Sequence, residues 1–244
     1  MFLFTTSIFF EENRRYDLPP MFEKFGNHDF ILFTNKKIDI LNPNGNMGWK
    51  QVIISDEEIS KIIPNYEEIK TTKKNITIQR YFKFMLWKYI DIEKYSMIVY
   101  CDGYMSPKRE YNWNNLNLIL QRLEAGIIQQ RHKNNVYKEC MMIVRYKKDT
   151  EDNMKKMYEY LVTNKCPEKV IMCENTAFIY NPKNKKIQEA LNEFWKEYST
   201  NGITYRDQPL WAYIQYKHNI KPIYKDDLFK SCFNNGVMGD HIYC

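Results

Sequence analysis

The sequence lacks an apolar run of the roughly 18 residues that a membrane-spanning helix needs. Its apolar start, residues 1–10, has neither the basic region nor the small-residue cleavage site of a signal peptide, so it predicts a first strand instead. We therefore expect no transmembrane segment and a cytoplasmic location.

Cysteine pairs of the zinc-binding kind are also missing. The six cysteines form no C-x-x-C pair, and no histidine stands at a zinc-ligand spacing from them. This pattern argues against a structural zinc site. It predicts free, mostly buried thiols in a reducing compartment.

The chain has no block of five or six like charges, although its net charge is +6. Basic residues are scattered among acidic ones, whereas nucleic-acid binders cluster them on one face, so we expect no nucleic-acid partner. Scattered charge still permits a local basic pocket for phosphates. A non-catalytic basic module for an anionic surface stays open as an alternative, because the chain also has 19 tyrosines.

Apolar residues make up 44% of the 244 residues, which is enough for one large domain with a sizeable core. We find no repeat, low-complexity tract or linker, which predicts a single domain over 1–244. Strand-like runs alternate with helical patterns, which predicts an α/β fold with a largely parallel central sheet flanked by helices. The predicted strands are 2–10, 29–34, 49–54, 97–100, 126–130, 172–180 and 221–224. The predicted helices are 55–63, 75–90, one around 116–123, 135–146, 151–162, 185–198 and 207–216.

The most informative stretch is the strand 97–100 and the turn that follows it. Asp102 stands at the carboxyl end of this strand, where open α/β sheets bind their ligands, and Gly103 allows a sharp turn. A lone carboxylate there is a hard oxygen ligand, suited to Mn²⁺ or Mg²⁺ with a bound diphosphate. The plain alternative is that Asp102 only makes an Asp-Gly turn.

Two helical patterns carry further interpretations. Arg80 and Lys83 are three residues apart and share a helix face, and a cationic pair suits a diphosphate. A solvated helix face is the alternative. On the helix 185–198, the stripe of Phe194, Trp195 and Tyr198 is interpreted as core.

Seven stretches together resemble the TOD/MUCI-type glycosyltransferase-like domain and related chlorovirus-type glycosyltransferases, from residue 6 to about residue 213. They are Tyr16-Asp17-Leu18, Phe33-Thr34-Asn35, Arg80-Tyr81-Phe82-Lys83, Val99-Tyr100-Cys101-Asp102-Gly103, Arg131-His132 (similar to a His-containing turn), Val136-Tyr137-Lys138-Glu139 and Arg206-Asp207-Gln208. The resemblance rests on their order and spacing. Two positions depart from it: Tyr104 stands where the family usually has Asn, and Lys138 where it tends to have an acid.

The resemblance implies a GT-A (Rossmann-like) fold, a nucleotide-sugar donor, a glycan acceptor and a divalent metal. Only Asp102 remains of a DxD motif, because Tyr100 occupies the other position. The resemblance also suggests His241 as a second metal ligand, with a frayed terminus as the alternative. Predicted donor-binding residues are Thr6, Thr34, Arg80, Lys83, Asp102 and Gly103. Predicted residues of the acceptor or sugar side are His132, Glu139, Arg206 and Gln208, although a lone histidine is often structural.

Asp207 is the predicted catalytic base. Arg206 and the start of a helix would both keep it ionised, as a base requires. The alternative is a plain helix N-cap.

The resulting hypothesis is metal-dependent, inverting transfer of a sugar from a UDP-linked donor to a glycan hydroxyl. A nucleotide-sugar hydrolase is the rival enzyme, because it would share every donor feature.

Overall fold

The computed structural model describes residues 1–10, 15–38, 48–69, 74–122, 126–200 and 203–239. The strands within these ranges are β1 (Phe2–Ile8), β2 (Asp29–Thr34), β3 (Lys50–Ile53), β4 (Met97–Cys101), β5 (Met105–Pro107), β6 (Ile127–Asn135), β7 (Ile171–Tyr180), β8 (Ile223–Tyr224) and β9 (Phe233–Asn235). Seven of them form a central sheet in the order β3-β2-β1-β4-β7-β6-β8, and β5 pairs with β9 in a small second sheet.

Helices occur between the strands, as predicted. They are α1 (Asp56–Ile62), α2 (Tyr66–Ile69), α3 (Lys74–Phe84), α4 (Leu86–Tyr89), α5 (Trp113–Arg122), α6 (Val136–Arg145), α7 (Glu151–Thr163), α8 (Lys185–Thr200), α9 (Gln208–Lys217) and α10 (Leu228–Cys232). The single helix predicted over 75–90 is wrong in one respect, because Met85 leaves the helical conformation at φ −109° and ψ 7° and separates α3 from α4. None of the helices in the described ranges is both long enough and apolar enough to cross a bilayer.

The pairing of β1 decides where a ligand can bind. It lies between β2 and β4 and is parallel to both, so the carboxyl ends of all three strands meet at one edge. β3 is also parallel to β2, and β8 to β6, whereas β7 is antiparallel to both β4 and β6. The sheet is therefore mixed and largely parallel, which confirms the α/β prediction.

β6 differs from the predicted short strand. It continues to Asn135, with irregular register between Ile128 and Gln130 and again between Arg131 and Asn135. His132 consequently lies in this irregular strand, not in the turn that the family resemblance suggested. Irregular pairing of this kind redirects side chains, and it is common beside functional sites.

Apolar side chains cover both faces of the sheet. Phe4 and Phe30 stack on one face, at 4.8 Å between ring centroids. On the other face α8 contributes Phe194, Trp195 and Tyr198, which are all buried, so their interpretation as core is confirmed. Burial on both faces explains why β1 is apolar or uncharged along its whole length.

The five cysteines in the described ranges are free and buried, as expected. Cys244 lies outside those ranges, as does Leu123 in the helix predicted around 116–123. Residues 42–46, whose Asn, Pro and Gly predict a turn, lie outside them too. The single-domain organisation of 1–244 stays a prediction.

We expect Ser55→Ala to lower the free energy of unfolding by about 1 kcal/mol, because it removes an N-cap. The Ser55 hydroxyl accepts a hydrogen bond from the Glu58 backbone N–H at 3.2 Å, and the Glu58 carboxylate accepts one from the Ser55 N–H at 2.8 Å. Urea unfolding measures the change. Ser60→Ala, in the same exposed helix, is the control and should have little effect. Equal stability of both variants would show that the capping box contributes nothing.

Candidate active site

The carboxyl ends of β1 and β4 open into a cleft of about 430 Å³, a volume in the range of small-molecule sites. Its remaining walls come from α3, β6, β7, the start of α9 and Met238 with Gly239. Most of the predicted site residues line it: Arg80, Lys83, Asp102, Gly103, His132, Glu139, Arg206, Asp207 and Gln208. Residues far apart in the sequence are thus brought to one cleft.

Asp102 forms the turn at the end of β4. Its backbone N–H donates to the carbonyl of Thr176 on β7 at 2.8 Å, and its own carbonyl accepts from the N–H of Met105 at 2.9 Å. These bonds fix the turn, while the carboxylate stays 29% exposed. A fixed backbone with an accessible carboxylate suits ligand binding.

Gly103 is needed for a different reason from the one predicted. Among the described glycines, positive φ occurs at Gly26 and Gly126 but not at Gly103. A Cβ at Gly103 would lie 2.7 Å from Cγ1 of Ile8 and 2.9 Å from Cβ of Asp17. Glycine therefore allows the turn to approach the end of β1 closely.

Beneath this turn lies a buried cluster of opposite charges. Nζ of Lys83 is 3.4 Å from Oδ1 of Asp102 and 3.6 Å from Oδ2 of Asp207. Nε of Arg80 is 3.0 Å from the same Oδ2, although the two atoms are not aligned for a hydrogen bond. The Lys83 side chain is only 2% exposed, which excludes the solvated helix face as its role.

The pKa values reflect this cluster. Burial lowers the pKa of Lys83, and the two neighbouring carboxylates oppose that effect. Burial alone would raise the pKa of Asp207, but Arg80, Lys83 and Arg206 together lower it. Burial would lower the pKa of Arg80, but Asp207 together with Tyr198, Asp102 and Tyr100 raises it above the ordinary value. Asp207 and Arg80 are therefore charged at neutral pH.

The helix-cap alternative for Asp207 is wrong. The residue occupies the N-cap position of α9, but its side chain makes no capping hydrogen bond and faces Arg80 and Lys83 instead. The role of catalytic base stays a prediction. The contacts themselves support a different role, in which Asp207 is the counter-ion that holds two buried cations.

A second polar group lies on the β6–β7 wall. Nε2 of His132 is 3.5 Å from Glu139 Oε2 and 3.5 Å from Glu174 Oε1. Glu174 also accepts a hydrogen bond from the amide of Gln208 at 3.0 Å. The sequence interpretation identified the other three residues and missed Glu174. The feature of the sequence that indicated Glu174 was a lone acid within the otherwise mostly apolar strand predicted over 172–180.

Hydrogen bonds join the loop that carries Arg206 to the turn between α6 and α7. Thr204 donates a hydrogen bond to the buried Asp149, and the Arg206 N–H donates to the Thr204 hydroxyl at 2.9 Å. Tyr205 donates to the carbonyl of Lys148. These bonds position Arg206, whose Nε is buried without a hydrogen bond among the described residues.

Two residues that were predicted to bind the nucleotide-sugar donor do not line the cleft. Thr6 and Thr34 are fully buried within the sheet, neither lines the cleft, and the Thr34 hydroxyl donates to the carbonyl of Lys36 at 2.8 Å. Their predicted contact with the nucleoside is therefore unsupported. Phe10 and Tyr16, which pack edge to face, line the cleft beyond β1 instead. His241 lies outside the described residues.

The residues fit one mode of binding a divalent cation. In the described part of the chain, no group of three or more His, Cys, Asp or Glu side chains could hold a metal ion. Tyr100 supplies no ligand, because burial raises the pKa of its phenol well above the ordinary value and its hydroxyl contacts Ser7 at 3.2 Å. Mg²⁺ is commonly held by one or two carboxylates plus substrate phosphates. Asp102 fits a cation shared with a diphosphate.

The similarity of this chain to known proteins lies in its fold. No family model and no curated protein matches the chain. Mouse xyloside xylosyltransferase 1, in its apo form, is 11% identical with a TM-score of 0.55, covering 93% of this chain and 86% of its own. The galactosyltransferase LgtC, solved with donor and acceptor sugar analogues, is 12% identical with a TM-score of 0.42, covering 84% and 64%. The first likeness confirms the predicted GT-A fold, whereas the TOD/MUCI-type family stays a prediction.

We expect Asp207→Asn to lower the free energy of unfolding by about 3–5 kcal/mol, because it leaves the buried Lys83 and the partly buried Arg80 without their shared counter-ion. Since the pKa of Asp207 is lowered by folding, its contribution is present above the ordinary pKa and is lost as the pH falls through the folded value. The loss should therefore be large at pH 7 and shrink in acid. Urea unfolding at pH 7 and at acidic pH measures this loss of stability.

The matched control is Asp226→Asn, which removes an exposed carboxylate 4.0 Å from Arg131. It should change stability by less than about 1 kcal/mol. An Asp207→Asn variant as stable as this control, with donor binding intact and transfer lost, would instead support the base role.

Proposed function

We propose that the chain is a glycosyltransferase. It moves a sugar from a UDP-linked nucleotide-sugar to a hydroxyl of a glycan acceptor, with inversion at the anomeric carbon. The observation that carries this proposal is the placement of the buried Lys83 beside the partly exposed carboxylate of Asp102 at the end of β4, with Arg80 in the same charge cluster. The GT-A fold supports it.

The donor side follows from the chemistry of the leaving group. As the bond from sugar to diphosphate breaks, negative charge develops on the diphosphate and must be stabilised. Lys83 and Arg80 line the cleft and supply positive charge, and little water competes at the buried Lys83. Mn²⁺ or Mg²⁺ at Asp102 would supply further Lewis-acid stabilisation of the same charge.

The acceptor side is assigned to the opposite wall. His132, Glu139, Arg206 and Gln208 line the cleft there, and hydroxyl-rich sugars are recognised by polar side chains of these kinds. The cations of the cleft are buried among carboxylates rather than spread over a surface, so the basic binding module is not favoured. A hydrolase is distinguished by measuring sugar transferred against sugar released to water.

We expect Asp102→Asn to abolish the Mn²⁺ dependence of donor binding and leave the fold intact, because the amide is nearly isosteric but uncharged. The measurement is thermal stabilisation by UDP with and without Mn²⁺, since a ligand that binds the folded state raises its stability. Asp226→Asn is the control and should behave like the wild type. Unchanged Mn²⁺ dependence in Asp102→Asn would remove Asp102 from the metal site.

We expect Lys83→Met to weaken UDP binding by about 1.5–3 kcal/mol, roughly 10- to 150-fold in Kd, because it removes a hydrogen bond to a charged group. Arg80→Met should have a weaker effect. Titration calorimetry measures the Kd. Lys88→Met, at an exposed position on α4, is the control and should bind UDP normally. Normal UDP binding by Lys83→Met would show that Lys83 does not contact the phosphates.

A further inference from the structure

The β6–β7 wall carries a carboxylate better placed for proton transfer than Asp207. The Glu174 side chain is 28% exposed in the cleft, whereas that of Asp207 is 4% exposed and lies between two cations. We propose that Glu174 is the catalytic base that takes the proton from the acceptor hydroxyl. This inference rests on the proposed function.

The backbone holds Glu174 in a fixed position relative to Asp102. The Asp102 N–H donates to the carbonyl of Thr176, and Glu174 is two residues from Thr176 on β7. Glu174 and Thr176 are both partly exposed and line the cleft, whereas Asn175 between them is buried. Between them, Asn175 is fixed by a hydrogen bond from Gln129 at 3.0 Å, in the buried layer under the cleft. Glu174 is therefore near the proposed metal and diphosphate site, but not part of it.

One hydrogen bond orients the carboxylate itself. Oε2 accepts the hydrogen bond from Gln208, while Oε1 is 3.5 Å from His132 and is not engaged at hydrogen-bond geometry. In the His132 ring, Nδ1 accepts from the Asn134 N–H at 3.0 Å, and Nε2 faces Glu174 and Glu139. This leaves Oε1 as the oxygen able to accept a proton.

The two carboxylates thus have separate tasks. Asp207 neutralises Arg80 and Lys83, and its lowered pKa makes it a weak base. Glu174 has no lysine or arginine partner within 4.0 Å among the described residues. Separation of the two sites allows cations to stabilise the diphosphate without neutralising the base.

The step balances as an inverting displacement. Glu174 Oε1 takes the proton of the acceptor hydroxyl as the hydroxyl oxygen forms a bond to the anomeric carbon. The bond from that carbon to the diphosphate oxygen breaks, and its electron pair leaves with the diphosphate. The carboxyl then returns the proton to solvent.

The test uses the full chain with Mn²⁺ and measures UDP release from UDP-glucose, UDP-galactose, UDP-xylose and UDP-N-acetylglucosamine, with methyl glycosides as acceptors. We expect Glu174→Gln to slow UDP release by roughly 10²- to 10⁴-fold, the usual effect of losing a general base. UDP binding, measured by thermal stabilisation, should stay normal, which would show that the variant is folded.

Glu174→Asp keeps the charge one methylene further back and should retain more activity than Glu174→Gln. Glu168→Gln, an exposed acid before β7, is the control and should match the wild type. UDP release by Glu174→Gln at the wild-type rate would overturn this inference and leave the proposed function standing. A wild-type chain that neither binds UDP nor releases it from any of these donors would overturn the proposed function, and this inference with it.

Discussion

The buried charge cluster of Arg80, Lys83 and Asp207 is the interaction on which the rest of the cleft depends. Taking these charges out of water costs several kcal/mol for each, and only close pairing offsets that cost. The pairing requires α3, the start of α9 and the turn after β4 to stay in one arrangement, because α3 carries both cations, the start of α9 carries Asp207 and the turn carries Asp102. The position of the proposed diphosphate site is thus set by an electrostatic constraint.

Around this cluster the cleft divides into two walls of different charge. The α3 side presents cations, whereas the opposite side presents His132 of β6, Glu174 of β7 and Glu139 of α6. Asp102 lies between them at the end of β4. Glycosyl transfer needs this division, since the diphosphate must be stabilised by positive charge and the acceptor hydroxyl must lose a proton. A cleft with both walls basic would bind a diphosphate but could not activate a hydroxyl.

Local sequence signals predicted most of the fold. The capping box at Ser55 placed the start of α1, and the apolar runs placed β2 and β7 to within a residue. The short elements α2, β5, α10 and β9 were missed, because segments of three to five residues are too short to show a period. Their conformation depends on tertiary contacts, as in the pairing of Met105 on β5 with Asn235 on β9.

By itself, the sequence determined that Asp102 ends a buried strand and that Arg80 and Lys83 share a helix face, because strand ends and helical spacing are local properties. The tertiary structure alone decided that Asp207 faces those two cations instead of capping its helix. It also decided that Glu174 meets His132 and Gln208, and that Thr6 and Thr34 are closed off inside the sheet. These outcomes depend on strand order and helix docking, which bring together residues whose separation in the chain leaves no periodic signal.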